Sequence, residues 1–211
     1  MKLKILVKTA ALLLVCSIAI LPVTATEMYD DKKMRWNVYV NGAYQTISSD
    51  STFSSSHPCY GTIYSAVTRF NSTSPSSVRA NYTTGMGANV QYFVANQSYW
   101  NSIVDAISAY AVTVPTDNYG RRYTCEEDYF VPGIPEWVYF QKADIYYNPN
   151  ASEFNSMSYN AFVVIAMHEL GHAYGLGHDP GTVMNDSPLP QYASGLTARD
   201  KQALQAFYGG T

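Results

Sequence analysis

Three of the chain's four histidines fall within eleven residues, in the run His168-Glu169-Leu170-Gly171-His172-Ala173-Tyr174-Gly175-Leu176-Gly177-His178. Residues four apart on a helix leave the same face, so His168 and His172 can offer two imidazole nitrogens to one ion. Glu169 lies about 100° round the helix from His168, beside that ion rather than on it, where a carboxylate can meet a metal-bound water. Gly175 tolerates a left-handed backbone, which ends the helix and reverses the chain. His178 then swings back as a third ligand instead of continuing along the helix axis. Three nitrogens and one open position describe a catalytic zinc site rather than a closed structural one. The alternative is that the histidines are ordinary core residues, but their desolvation would cost several kcal/mol, which metal binding relieves. Asp179 directly follows His178 and competes for the third position; the spacing, and the commoner use of neutral imidazole as a zinc donor, favour His178.

Such a motif needs a rigid carrier. Ser158 to Tyr174 is apolar almost all round (Phe162, Val163, Val164, Ile165, Met167, Leu170), which predicts a central, buried helix. A last helix starts at Thr197 with Asp200 in a capping-box position, is packed by Ala203, Leu204 and Phe207, and ends at Gly209. Upstream, Arg35–Val40 alternates and reads as a strand closed by an Asn41-Gly42 turn, and residues 48–56, with six serines, read as a surface loop. Ile63, Ala66, Val67 and Phe70 fall at helical spacing. Val78–Tyr82, Val90–Val94, Trp137–Phe140 and Ala143–Tyr147 read as strands, 99–110 as a short helix and 115–136 as a long loop. Strands first and helices last, with one strand-helix-strand crossover, predict an α/β (α+β) sandwich.

The run HELGHAYGLGH followed by Thr182-Val183-Met184 resembles the zinc signature and Met-turn of the metzincin metallopeptidases. The lead-in Lys142–Asn148 and the closing stretch from Leu196 to Gly209 are most similar to matrixins and their bacterial secreted relatives, so specific resemblance covers roughly residues 140–210. It implies the metzincin-like zincin fold: a twisted mixed sheet, a central active-site helix, a Met-turn and a C-terminal helix. It also implies that His168, His172 and His178 hold one catalytic Zn2+, that Glu169 is the general base and acid, and that Met184 forms a hydrophobic floor. An extended substrate is then expected to add to the sheet edge at Ala143–Tyr147, with Asn185–Tyr192 walling the pocket beyond. The chain departs from the family in places. His178 and Met184 lie closer together than in a matrixin, and Asp186 stands where astacins carry a tyrosine ligand. Only His57 remains for the second, structural zinc of matrixins, so that site cannot be built. The acidic cluster Glu126-Glu127-Asp128 is a candidate for Ca2+.

Lys2, Lys4 and Lys8 precede an uncharged run from Thr9 to Leu21 and then Pro22-Val23-Thr24-Ala25, the layout of a cleavable signal peptide over 1–25. Thirteen residues fall short of the roughly 18–20 that span a bilayer, which disfavours a membrane anchor. Residues 26–34 form a short N-terminal segment, in which Asp30 or Asp31 could reach the zinc or simply fray, and 35–211 the catalytic domain. Removing the signal takes the net charge from −3 to −6, and charged residues make up only 14% of the chain. That balance excludes a nucleic-acid partner, and the 47% hydrophobic content excludes disorder. Cys59 and Cys125 are expected to pair in an oxidising compartment, a bridge worth roughly 4 kcal/mol. The function expected is a secreted, monomeric zinc endopeptidase acting on protein or peptide, free of the membrane after signal cleavage. The alternatives are a catalytically silent secreted binding module on the same fold and a hydrolase of another amide, such as a cell-wall peptide.

Overall fold

Parallel pairing organises the sheet from which the site is hung. The computed structural model describes residues 33–36, 43–55, 57–85, 87–103, 109–123, 137–150, 154, 156–187 and 190–209. Along the chain run β1 (Lys33–Trp36), β2 (Ala43–Ser49), α1 (Thr62–Thr73), β3 (Val78–Tyr82), β4 (Val90–Val94), α2 (Gln97–Ile103), β5 (Ala111–Asp117), β6 (Trp137–Tyr147), α3 (Tyr159–Ala173), a 3-10 turn (Pro190–Ser194) and α4 (Ala198–Tyr208). β3, β2, β4 and β6 pair in that order, all parallel. β6 also takes β1 in parallel along its first four residues and β5 antiparallel along the rest. The α/β class expected from the element order is what the chain adopts.

Three differences from the sequence reading have physical causes. β2 alternates buried and exposed, but Gln45 and Ser48 occupy buried positions, so its pattern is not apolar; the serine-rich loop begins only at Asp50. β5 contains Pro115, which argues against a central strand yet is tolerated on an edge. β6 is one strand where two were expected. Thr116 pairs with Lys142 but Asp117 with Phe140, so Gln141 is an extra residue. That bulge shifts the alternation, and Phe140 and Ala143 both point inward. Consequently Ala143–Tyr147 is no edge: β4 flanks it on one side and β5 on the other. Among the described residues, the antiparallel edge strand is β5.

α1 and α3 pack together, α3 also against β5 and β6. Ile63, Ala66, Val67 and Phe70 of α1 are buried, and α3 is buried from Ala161 to Ala173, as its all-round apolar sequence requires. Its last carbonyls, which have no partner within the helix, are met from elsewhere in the chain. Trp36 Nε1 donates to Ala173 O (2.8 Å), and the Tyr208 hydroxyl donates to Tyr174 O (2.8 Å) while accepting from Trp36 N (3.2 Å). β1, α3 and α4 are thereby locked at one point.

The expected signal (1–25), Asp30 and Asp31, Cys125 and the cluster Glu126–Asp128 lie outside the described residues. Cys59 is buried and bonds no sulfur among the described residues. No described helix is long and apolar enough to cross a membrane.

The capping box expected at α4 is present: Thr197 N and Oγ1 donate to Asp200 Oδ2 at 2.8 and 2.7 Å, and Thr197 Oγ1 caps Asp200 N. The same carboxylate oxygen accepts from Val183 N at 3.4 Å, so the cap of the last helix also ties down the turn before Met184. Asp200→Ala is expected to lower the free energy of unfolding by about 1–3 kcal/mol. A urea midpoint equal to the wild type's would show the tie to be idle.

Candidate active site

α3 stops where the motif predicts, and the way it stops aims a side chain. Gly175 takes φ 98°, Gly175 N donates to His172 O and Leu176 N to Gly171 O, both at 3.0 Å, a Schellman closure. The reversal leaves Leu176 O pointing back at the helix, where His172 Nδ1 donates to it at 2.7 Å. One turn earlier, His168 Nδ1 donates to Val183 O at 2.9 Å. A carbonyl can only accept, so both imidazoles carry their proton on Nδ1 and present a bare Nε2.

Those two Nε2 atoms lie 3.0 Å apart. With no proton between them, two lone pairs at that distance repel, and a shared cation turns the repulsion into attraction. Two zinc–nitrogen bonds of ~2.05 Å at a tetrahedral angle would set their nitrogens about 3.3 Å apart, close to what is found. His178 completes the group: its ring centre is 5.3 Å from that of His168 and 4.8 Å from that of His172, and one ligand atom from each histidine lies within 4.8 Å of the others. The donor set fits zinc. Among the described residues it is the one cluster of three or more metal-capable groups.

Burial pushes the His168 pKa down to about 4, against the Val183 carbonyl and with a smaller push from His178, and it drives His172 well below the usual range, with His168 and His178 adding to the effect. His178 is lowered as well, by burial first, with Asp186 pulling the other way. All three are therefore neutral near pH 7, the form that binds metal. Their anchoring is unequal. His178 is 44% exposed, and its Nδ1 faces the Asp186 carboxylate at 3.1 Å instead of a backbone carbonyl.

Asp179, the rival third ligand, turns elsewhere. Its buried carboxylate pairs with Arg199 at 2.6 Å, and its backbone N donates to Met184 O at 2.7 Å. Met184 is fully buried and presses on α3 at Gly171, where any Cβ would collide with its sulfur. Gly171 within the motif thus makes room for the Met-turn. His57 is not part of the triad: half-buried, it accepts from Cys59 N and packs edge-on against Phe53, Tyr147 and Phe154. The calcium expectation finds no support.

Glu169 sits beside the triad with 5% of its surface exposed. Its Oε2 accepts from Thr113 Oγ1 of β5 at 2.7 Å. Burial raises its pKa to about 7, against a smaller lowering by the Thr113 hydroxyl. Thr113, Asp186 and Asp200 are contributors that motif reading missed. Asp200 alone carried a signal, and that signal was for capping.

The raised carboxyl has a consequence for stability with a definite sign. Between pH 4.5 and about 7 the unfolded chain gives up the Glu169 proton while the folded one keeps it, so the fold loses stability as pH rises through this window. In metal-free protein, Glu169→Gln is therefore expected to be indistinguishable from wild type near pH 4 and more stable near pH 8, by on the order of 3 kcal/mol. Urea titrations across this range, giving a difference that does not change with pH, would contradict the assignment.

The comparisons agree with this geometry. No curated protein matches the chain significantly. The family model described as matrixin, peptidase family M10, matches residues 30–209, nearly the whole chain. Matrixins are zinc metallopeptidases of the metzincin fold, and the six-stranded mixed sheet with its helices and histidine triad fits that membership. The chain belongs to the matrixin family.

Proposed function

We propose that the chain is a secreted zinc endopeptidase, with His168, His172 and His178 as the metal ligands and Glu169 as the general base and acid. The observation that carries the reading is the pair of unprotonated Nε2 atoms facing each other at 3.0 Å, with a third imidazole and a buried carboxyl beside them. When bound, the ion would supply Lewis acidity, making a water more acidic and polarising the substrate carbonyl. Glu169, with a pKa of about 7, is poised to accept a proton from that water and to return it to the departing amine. β5 offers an edge along which an extended peptide can pair, which suits cleavage within a chain rather than at its ends. This edge replaces the one expected at Ala143–Tyr147. Export is supported by the basic and then apolar character of residues 1–25. A silent binding module would have no use for a buried carboxyl at this position.

Glu169→Ala is expected to retain one zinc per chain and to lose casein cleavage by at least a thousandfold; normal cleavage by the variant would remove Glu169 from the mechanism. His178→Ala is expected to lose stoichiometric zinc by elemental analysis and Asp179→Ala to keep it, and the opposite result would exchange their roles.

A further inference from the structure

We propose that Thr113 is a positioning residue for Glu169, holding one carboxylate oxygen so that the other faces the reacting groups; the inference rests on the proposed function. Thr113 is a fully buried polar residue on the edge strand β5. Its hydroxyl lies 2.7 Å from Glu169 Oε2 and 3.0 Å from the backbone oxygen of the same residue. Satisfying a buried hydroxyl needs only the backbone contact, and the shorter distance goes to the carboxylate.

Glu169 has no other donor among the described residues. Two buried tyrosines, Tyr92 and Tyr147, lie close enough to feel its charge, but the Tyr92 hydroxyl donates to Ala166 O and that of Tyr147 makes no hydrogen bond in the structure. Thr113 therefore decides which way the carboxylate points. A glutamate with one oxygen pinned has lost the rotation about its last side-chain bond, and its free oxygen meets a substrate water in one orientation.

The position of Thr113 gives it a second connection to substrate. Tyr110 O accepts from Asn148 N, so the even-numbered backbone groups of β5 face β6. Pro115 O accepts from Tyr123 N on the other side, so Ala111, Thr113 and Pro115 present theirs to the outer edge. The residue that clamps the general base thus also lies on the edge available to a peptide, and the two roles separate in kinetics. Loss of the clamp lowers kcat, whereas displacement of the strand raises KM.

The test compares Thr113→Val, which keeps the shape and deletes the donor, with Thr113→Ser, which keeps the donor. The substrate is a fluorogenic peptide cut by the wild type, and zinc content is measured alongside. The expected result is a kcat about 10- to 100-fold lower for Thr113→Val with KM within twofold and zinc at one per chain, and near-normal kcat for Thr113→Ser. Should valine not be accommodated, Thr113→Ala, which cannot overpack, is read in the same way. An unchanged kcat in a folded, zinc-loaded Thr113→Val or Thr113→Ala overturns the proposal. So does a loss confined to KM, or one that the serine variant shares. Glu169→Ala run in parallel separates the two levels: activity there removes the underlying reading, whereas an inactive Glu169→Ala beside a normal Thr113→Val removes the clamp alone.

Discussion

Two imidazole nitrogens, both without a proton, are held 3.0 Å apart in a water-poor interior, and most of the C-terminal half exists to keep them so. The arrangement is unfavourable until a cation is placed between them. Each Nδ1 is committed to a carbonyl, and each carbonyl is fixed by a separate device. Leu176 O is fixed by the helix closure at Gly175, and Val183 O by the turn that Asp200 anchors from α4. Gly171 admits the buried sulfur of Met184 between these two supports. Gly175 and Asp200 thus act on the two imidazoles at a distance, through the direction of a backbone oxygen.

One physical cause gives the site two useful protonation states. Desolvation disfavours charge of either sign, so it lowers the histidines and raises the carboxyl. The buried imidazoles are kept neutral near pH 7, and the Glu169 carboxyl is brought close to that value. Burying α3 on all sides is the largest cause of both effects.

The site was more legible in sequence than the sheet that carries it. His168, Glu169 and His172 share one helix, so their relation follows from helical geometry, and the glycine break predicts the return of His178. Glu169's partner could not be found in the same way. Thr113 lies 56 residues away on a strand containing a proline, a residue that argues against strand. β2 was hidden because parallel pairing on both sides lets a strand bury Gln45 and Ser48. β6 was split in two because the bulge at Gln141 breaks the alternation by which strands are recognised. Local order of this kind is set by partners remote in sequence, and no window along the chain contains it.

The antiparallel strand is also bounded in length. Its far end is covered by the chain's own return, where Asp117 gathers Arg121 and Tyr123 and the backbone pairs Thr116 with Arg122. Only the stretch from Ala111 to Val114 keeps an unpaired rim among the described residues. A rim this short can receive a few residues of a passing chain but is a poor template for a ladder between copies of the protein, which needs a longer, flatter border. The fold thus leaves a short open edge while limiting the self-association that exposed strands invite.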